Sequence, residues 1–199
     1  GINLYWNKNG GNVIGNRIFA DNPAITGTIY GMQTMYIDSA LVGNNDIYLN
    51  SNAGTTYGMY VYFFKACRYI HNSILITGIS NKPYAMYMRV TASDEYDINM
   101  KNNIFVVNGG TTPYAMYFNG TYDINYSQNY RIDYNNYYSS GSMGYVGGIQ
   151  STLMNWKSIV ITDQNSTYSL PSYVSVNHNL KLSDYSAFTT NLIPDFKFD

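Results

Sequence analysis

The sequence predicts an all-β protein built as a parallel β-helix, a solenoid of about five coils that ends in a C-terminal cap. Three observations in the 199 residues support this prediction. A short phrase, a small residue followed by an apolar one, returns at nearly constant intervals. Apolar and polar residues then alternate, which is the period of a β-strand. Turn-forming residues separate the units, and no unit has room for an additional helix of about ten residues.

The small–apolar pair marks the start of each unit, and successive pairs are 30, 27, 27 and 30 residues apart. A second phrase containing asparagine follows within every unit, as in "IGNRIF" and "IHNSIL". Two phrases that recur together at nearly constant spacing over five units are strong evidence of an internal repeat. The pairs are Gly1-Ile2, Gly31-Met32, Gly58-Met59, Ala85-Met86 and Ala115-Met116, and the asparagines are Asn16, Asn45, Asn72, Asn102 and Asn135 or Asn136.

The alternation within a unit predicts which side chains face the core. Equivalent strands of a parallel β-helix stack about 4.8 Å apart, so equivalent side chains stack on one another. The asparagines are predicted to stack at a turn, where their amides bond along the stack or serve the bend between two strands. The coils are predicted to span residues 1–145, with an inner column formed by Ile2, Met32, Met59, Met86 and Met116.

The pattern ends after Tyr138, and residues 146–199 are predicted to form a C-terminal cap with a short helix and extra strands. The stretch "SSGSMGYVGG" is typical of a linker, and "STLMNWKSIV" indicates a helix that Ser151 caps. An open coil end exposes apolar side chains and unpaired strand edges, so a solenoid needs a lid. Trp156, Leu153 and Ile159 are the candidate lid residues. Because Gly1 opens directly into a coil, we expect a longer chain or a partner that covers the first coil.

Composition excludes several classes of function. Charged residues make up 12% of the chain and the net charge is −1, which argues against a nucleic-acid footprint. No apolar run approaches the roughly 18 residues of a membrane span, so no transmembrane segment is predicted. Cys67 is interpreted as a buried, inert thiol, and His71 and His178 as solvated or locally hydrogen-bonded side chains. No His or Cys set has metal-ligand spacing, and no cofactor is predicted.

The phrase "GINLYWNKNGGNVIGNRIF" resembles the coil pattern of right-handed parallel β-helix proteins of the pectate-lyase-like superfamily. The "DYNNYY … W … NLKL" series is similar to the C-terminal end of secreted bacterial β-helix proteins. The resemblance implies a right-handed coil and a secreted or cell-surface bacterial protein. That superfamily contains polysaccharide lyases, hydrolases, phage tailspikes and large surface proteins without known activity. A resemblance at the level of the fold therefore implies no particular activity.

The resemblance makes a carbohydrate-active enzyme the alternative function. Lyases on this fold use acidic Ca²⁺ ligands with a basic residue, and hydrolases use close carboxylate pairs. The candidate catalytic residues are Asp94, Glu95 and Asp97 in "TASDEYD", with Asp123 at an equivalent place in the next unit. The first three are also a secondary candidate for a Ca²⁺ site. A solvated loop is the favoured interpretation, because no basic residue recurs beside these acids on one face.

One outward-facing set remains as a candidate binding surface. If the methionines of the small–apolar pairs point inward, Tyr60, Tyr87 and Tyr117 point outward as a vertical column. Exposed aromatic rows with amide neighbours suit stacking on sugar rings, whereas stacked tyrosines also stabilise a sheet by cross-strand contact. Tyr30, Tyr57, Tyr84 and Tyr114 begin their strands and are interpreted as corner residues. Gln33 is expected above the column, with Tyr62, Arg89 and Asn119 beside it.

The leading functional prediction is a non-catalytic module of a secreted or cell-surface protein, with a structural or adhesive role. The tyrosine column suggests a polysaccharide or another glycan as its partner. The alternative is a polysaccharide lyase or glycoside hydrolase. A tailspike-like oligomer is a third class, for which the sequence offers no trimer signature.

Overall fold

The computed structural model describes residues 1–90, 97–120, 130–175 and 179–184. Strands account for 61% and helix for 4% of the structure, and stacked parallel sheets form a β-solenoid of about five turns. The predicted all-β solenoid is therefore confirmed. No helix within these ranges is long and apolar enough to cross a membrane.

Each coil contributes one strand to each of three sheets, which we call sheets A, B and C. In chain order the elements are β1 (Ile2–Tyr5), β2 (Gly11–Ile14), β3 (Arg17–Asp21), β4 (Thr28–Asp38), β5 (Ala40–Gly43), β6 (Asp46–Asn50), β7 (Thr55–Lys65), β8 (Arg68–Ile70), β9 (Ser73–Gly78), β10 (Lys82–Val90), β11 (Ile98–Lys101), β12 (Ile104–Gly109), β13 (Tyr114–Gly120), β14 (Tyr130–Asp133), β15 (Asn136–Ser139), β16 (Ser142–Tyr145), β17 (Ile149–Gln150), α1 (Leu153–Ile159), β18 (Thr167–Tyr168), β19 (Tyr173–Ser175) and β20 (Asn179–Leu182).

The strand orders show the solenoid directly, because neighbours in a sheet come from successive coils. Sheet A has the order β1-β4-β7-β10-β13-β16-β17, and sheet B has the order β14-β11-β8-β5-β2. Sheet C has the order β18-β15-β12-β9-β6-β3, and β19 and β20 form a separate hairpin. All neighbours within the three sheets pair in parallel except β16 and β17, which are antiparallel.

The inner column of the small–apolar pairs lies where the sequence predicts it. Ile2 pairs with Met32, Met32 with Met59, and this register continues through Met86 to Met116. The four methionines are at most 1% exposed, and Ile2 packs against the same core. In-register stacking thus buries one methionine in each of four successive coils, and this unbranched side chain fills irregular gaps well.

Side-chain amides form a continuous ladder through the interior. Asn45 donates to the Oδ1 atom of Asn72 at 2.8 Å, and Asn72 donates to that of Asn103 at 2.9 Å. Each amide also donates to a backbone carbonyl, as Asn72 does to Val42 at 2.9 Å. The full ladder is Asn16, Asn45, Asn72, Asn103 and Asn135, and every member except Asn16 is at most 1% exposed.

The prediction of Asn102 as a ladder member is wrong, because the two asparagines of "MKNNIF" have different roles. Asn102 has a φ of 57° and turns the chain, whereas Asn103 points inward and bonds to its neighbours. Asn and Asp tolerate this left-handed conformation better than most residues. Of the two asparagines in "DYNNYY", Asn135 is the ladder member, because its Oδ1 atom accepts a hydrogen bond from the Asn103 side-chain amide at 3.0 Å.

Single left-handed residues bend every coil at the borders between sheets. One column of such corners contains Gly15, Asn44, His71, Asn102 and Tyr134, with φ angles between 52° and 71°. The backbone amides of the first four donate to the next coil, as Asn44 does to the Ile70 carbonyl at 3.1 Å, and the Tyr134 amide donates to the Asp133 carboxylate at 3.0 Å. The corners therefore change the chain direction without leaving these amide donors unpaired.

Helix α1 closes the last coil. Trp156 is fully buried and stacks on Phe118 with ring centroids 5.6 Å apart, while Leu153 and Ile159 pack partly buried against the core. The N-cap is Thr152 rather than the predicted Ser151, because the Thr152 hydroxyl accepts from the Asn155 amide at 3.2 Å. A helix with one buried aromatic side chain thus covers apolar surface that the open coil would expose.

A buried carboxylate, Asp163, joins this helix to the solenoid. It accepts 2.7 Å hydrogen bonds from the Trp156 indole and the Tyr137 hydroxyl, and a third hydrogen bond from the Ser166 hydroxyl. The Ser166 oxygen in turn accepts from the backbone amide of Asn135 at 2.8 Å, in the place that a ladder asparagine oxygen takes in earlier coils. The ladder and the cap are therefore one hydrogen-bonded unit.

The hairpin of β19 and β20 lies against the outer face of sheet C. Leu180 of the hairpin forms a second apolar cluster with Tyr48, Leu75 and Val106, which stand side by side on β6, β9 and β12. These three residues are at most 5% exposed although they point away from the main core. The C-terminal segment thus covers sheet C, in addition to closing the end of the solenoid.

Replacing one rung of the ladder should destabilise the fold far more than replacing a surface asparagine. The Asn72→Ala variant removes the side-chain donor to the Val42 carbonyl, the acceptor of the Asn45 amide and one of the two Asn72 donors to the Asn103 oxygen. We expect it to lower the free energy of unfolding by about 3 kcal/mol in denaturant titrations. Asn108→Ala, on an exposed position of β12, is the matched control and should change it by less than about 0.5 kcal/mol. Equal effects of the two substitutions would contradict the role of the ladder.

The cap should become less stable as the pH rises through weak acid. Burial raises the pKa of Asp163 to about 6, against the effect of its three donors, whereas the unfolded value is about 3.9. The folded state therefore holds this proton more tightly. Its contribution to stability is full below about pH 4 and is lost as the pH approaches 6, by on the order of 3 kcal/mol.

The measurement is the difference in unfolding free energy between the wild type and Asp163→Asn from pH 4 to pH 7. Subtraction removes the titration of the other acids. The wild type should lose unfolding free energy relative to Asp163→Asn as the pH rises. A shift in the opposite direction would show that the three donors outweigh the desolvation.

Candidate functional site

The outer face of sheet A contains a column of tyrosines in exact register with the inner methionines. Tyr60 pairs with Tyr87, Tyr87 with Tyr117, and Tyr117 with Tyr145. Their ring centroids are 5.3, 5.2 and 4.5 Å apart and their planes lie within 10° of parallel. Gln33 lies above Tyr60 on β4. We call the four tyrosines the Tyr87 column, and the sequence predicts all of them except Tyr145.

A second column, formed by the tyrosines that were predicted to be corner residues, runs beside the first on the same face. Tyr30, Tyr57, Tyr84 and Tyr114 stack with centroid distances of 4.9, 5.4 and 5.9 Å and interplanar angles of at most 18°. They lie within the strands β4, β7, β10 and β13, and not at the left-handed corners. We call this set the Tyr84 column.

Both columns lie on one face because the alternation of inward and outward side chains is interrupted once in the sheet A strand of each coil. Gly58 and Met59 are consecutive and both buried, so the residues on either side, Tyr57 and Tyr60, lie on the outer face. A methyl group at Gly58 would overlap the side chain of Ile74 and the carbonyl oxygen of Ala85. The first of the two inward positions therefore needs a small residue, which explains the small–apolar pair and the repeated Tyr-Gly/Ala-Met phrase.

The two columns interlock into a single lattice. Tyr84 meets Tyr87 and Tyr117 edge to face, with centroids 5.2 and 4.9 Å apart, and Tyr57 meets Tyr60 in the same way at 5.2 Å. We call the eight rings of the Tyr84 and Tyr87 columns the tyrosine lattice. At its centre Tyr84 is 8% and Tyr87 9% exposed. Ring faces are covered by neighbouring rings, so a ligand meets mainly ring edges and hydroxyl groups.

Two polar side chains lie beside the lattice, each two residues after a lattice tyrosine in its strand. The guanidinium of Arg89 lies 4.5 Å from the centre of the Tyr62 ring. Asn119 donates a hydrogen bond to the Tyr87 hydroxyl. The structure thus brings Gln33, Arg89 and Asn119 together with the predicted tyrosines on one surface.

The lattice is electrically neutral at physiological pH. Burial is the main cause that raises the pKa of Tyr84 to about 12, and burial likewise raises the pKa of Tyr57, Tyr87 and Tyr117. The charged residues of the sheet A strands stand at or near strand ends: Asp38, Lys65, Lys82 and Arg89. The surface therefore offers neutral hydroxyl donors and acceptors among apolar ring edges.

An aromatic corner adjoins the lattice. Trp6, Tyr36 and Phe63 have left-handed φ angles of 57°, 54° and 50° and stack with centroids 4.5 and 4.6 Å apart. Left-handed backbone is uncommon for bulky residues, and stacking offsets part of its cost. This corner was not predicted, because nothing in the sequence distinguishes a turning aromatic residue from one that continues a strand.

The acidic candidates lie elsewhere or outside the described residues. Asp94, Glu95 and Asp123, together with His178, fall in the segments that the structure does not describe. Asp97 is a left-handed corner residue whose carboxylate forms an ion pair with Arg131. Within residues 1–90, 97–120, 130–175 and 179–184, no group of three His, Cys, Asp or Glu side chains could hold a metal ion.

The remaining titratable candidates are part of the scaffold. Cys67 is buried, and burial raises the pKa of its thiol. His71 is a corner residue, and burial lowers the pKa of its imidazole.

Comparison with known proteins adds no functional residue. No protein-family model, no curated protein and no solved structure matches this chain. The resemblance to the pectate-lyase-like superfamily therefore rests on the coil phrases, and the structure supports its coarser part, a parallel β-solenoid of about five turns.

Alkaline titration should separate the lattice from ordinary tyrosines. Since burial raises the pKa of Tyr57, Tyr84, Tyr87 and Tyr117, part of the tyrosinate absorbance should appear only near pH 12. For the same reason, stability should fall as the pH rises above about 10, the pKa of free tyrosine. In denaturant all 23 tyrosines should ionise in one transition near pH 10. Tyr84→Phe should reduce the late fraction, and a native titration that matches the denatured one would contradict the packing of the lattice.

Proposed function

We propose that this chain is a non-catalytic β-solenoid module, with a structural or adhesive role, that binds glycans on the tyrosine lattice. The observation that supports the proposal is the pair of interlocked tyrosine columns on one face of sheet A. Polar residues alone would suffice on an outer face that only contacts water, yet the outer face of sheet A carries two tyrosines in each of several coils. The same rings stabilise the sheet by cross-strand contact, and their edges and hydroxyls remain for a partner.

The chemistry of the lattice favours a partner rich in hydroxyl groups. Phenol hydroxyls both donate and accept hydrogen bonds, as sugar hydroxyls do, and ring edges accommodate the apolar parts of a sugar. Coils repeat about every 4.8 Å, so a polymer that lies along the solenoid axis meets the same groups again and again. Weak contacts to successive units then add up through effective concentration.

A secreted or cell-surface location, a bacterial source and membership of the pectate-lyase-like superfamily belong to the same proposal. Their support is the resemblance of the coil phrases and of the C-terminal series. The enzymatic alternative gains no support from the described residues, where Asp97 is engaged by Arg131. Asp94, Glu95 and Asp123 are its remaining candidates.

Glycan binding is tested with the purified chain on an array of plant, bacterial and animal polysaccharides. Tyr114→Ala and Tyr117→Ala remove partly exposed rings of the lattice, and each should weaken binding at least tenfold, as is typical of aromatic anchors. The matched control is Tyr168→Ala, which removes a ring that is 39% exposed and lies outside the lattice on sheet C.

Thermal unfolding must show that each variant is folded. Binding that survives both lattice substitutions would overturn the lattice as the binding surface. Release of shortened or unsaturated products from any polysaccharide on the array would overturn the non-catalytic assignment.

A further inference from the structure

Each junction between two coils of the asparagine ladder is built from the same set of four hydrogen bonds. At the junction of Asn45 and Asn72, the backbone amide and the side-chain amide of Asn45 both donate to the Oδ1 atom of Asn72, at 3.2 and 2.8 Å. The Asn72 side chain donates to the Val42 carbonyl, three residues before Asn45, at 2.9 Å. The Ser73 backbone amide donates to the Asn45 carbonyl at 2.8 Å.

The set recurs at all four junctions of the ladder. The later asparagine always donates to the carbonyl three residues before the earlier one, at 2.8 to 3.0 Å. These pairs are Asn45 with Val13, Asn72 with Val42, Asn103 with Tyr69, and Asn135 with Met100. The residue after the later asparagine donates from its backbone to the earlier asparagine's carbonyl, at 2.8 Å each time. Every coil thus presents a defined set of donors and acceptors to the coil before it.

The first coil presents the same groups, and no described residue engages them in this way. The Asn16 Oδ1 atom accepts no hydrogen bond from the described part of the chain, whereas that of every later ladder asparagine accepts two. The Asn16 side chain donates to the Ile14 carbonyl of its own coil at a long 3.4 Å. Arg17 stands in register with Asp46, so its backbone amide points to the side of sheet C on which the described strands end.

The apolar part of this coil is also incompletely covered. The strands β1, β2 and β3 are each the last described strand at one end of sheets A, B and C. Ile2, Val13 and Ile18 are partly exposed, although their partners in the second coil are fully buried. We call the surface formed by β1, β2, β3 and Asn16 the first-coil edge. Strand edges with apolar side chains beside them readily pair with another strand.

The required set of bonds identifies the kind of partner. A glycan offers hydroxyl groups to Asn16, but it has no backbone amides that could pair with three strand edges. Two copies of this chain that met at this edge by two-fold symmetry would run antiparallel, which does not reproduce the parallel pattern. The other end of a second copy is closed by α1. A parallel coil with an asparagine at the ladder position supplies all four bonds and covers the apolar side chains at once.

We propose that the first-coil edge is an assembly surface that binds one further asparagine-bearing β-coil of a polypeptide partner, stacked in parallel. The partner's asparagine donates twice to the Asn16 oxygen and accepts from the Arg17 amide at its carbonyl. Its carbonyl three residues earlier accepts from the Asn16 side chain. Main-chain pairing along three strands supplies affinity, and the asparagine sets the register. This inference concerns a surface other than the tyrosine lattice and does not rest on glycan binding.

The probe is a peptide that copies residues 28–50 of this chain, which contain β4, β5, β6 and Asn45. When it stacks on the first coil in the register of the solenoid, its asparagine lies over Asn16. Calorimetry with the full chain should show one peptide bound per chain. The melting temperature of the chain should rise with peptide concentration, because the peptide binds the folded state alone.

Two peptide variants and one chain variant test the role of the asparagine. Asn45→Gly in the peptide should weaken binding at least tenfold, since it removes a ladder side chain. Asn44→Gly is the matched control at the adjacent corner, where the first coil itself has Gly15, and should bind like the unchanged peptide. Asn16→Ala in the full chain should also weaken binding at least tenfold. The Asn45→Gly peptide should then lose little more, because its partner is already absent.

A tethered coil gives a second measurement that does not depend on a free peptide. Residues 31–57 are placed directly before Gly1, so that a copy of Tyr57 precedes Gly1 as Tyr57 precedes Gly58. The tether makes the contact intramolecular and raises its effective concentration. The extended chain should unfold at a higher denaturant concentration than the original chain. Asn45→Gly in the added copy should remove most of this gain, and Asn44→Gly should retain it.

The proposal is supported if the peptide binds or the tethered coil stabilises the chain, and if this effect depends on Asn45 and Asn16. It is overturned if neither effect occurs, if Asn45→Gly and Asn44→Gly act equally, or if Asn16→Ala leaves peptide binding unchanged. Sedimentation of the chain alone tests the other protein partner: dimers that Asn16→Ala dissociates would show that the edge binds a second copy instead. Glycan binding lost in Asn16→Ala but retained in the lattice variants would show that the edge binds a sugar instead.

Discussion

The amide ladder is the interaction on which the rest of the structure depends. Each buried asparagine bonds to its equivalent in the next coil and to a backbone carbonyl, so a coil displaced by one residue would leave several buried polar groups unpaired. A buried group without a partner costs about 1–3 kcal/mol, and such costs add up along the stack. Hydrophobic contacts between coils tolerate small displacements far better. The ladder therefore sets the register to a single value.

Register determines what the outer faces can be. Once coil stacks on coil without displacement, any residue that recurs in the sequence becomes a column in space. The two tyrosines of each small–apolar phrase thus become two parallel columns, and their edge-to-face contacts make a lattice that no single coil contains. Each aromatic pair contributes about 0.5–1.5 kcal/mol beyond the area it buries. The tyrosine lattice is consequently part of the scaffold, whatever it binds.

The sequence was sufficient to predict the repeat, the parallel stacking and the inner methionines, because these depend on periods that can be counted. It was insufficient where two neighbouring residues of the same type have different roles. Asn102 turns the chain and Asn103 bonds in the ladder, and no property of the pair "NN" assigns these roles. Strict alternation also misplaced the Tyr84 column, since it cannot show that Gly58 and Met59 both point inward. The three partners of Asp163 come from separate parts of the tail and of β15, and only the folded chain brings them together.

The same regularity that makes the lattice stable limits where it can be selective. Inside the lattice every ring has equivalent rings above and below, and Asn119 already donates a hydrogen bond to the hydroxyl of Tyr87. A partner that contacts only these interior coils meets a repeated surface and has little basis for preferring one register over another. The repeat is interrupted after β16, where the chain turns back and β17 pairs antiparallel, so this end of the solenoid differs from the coils before it.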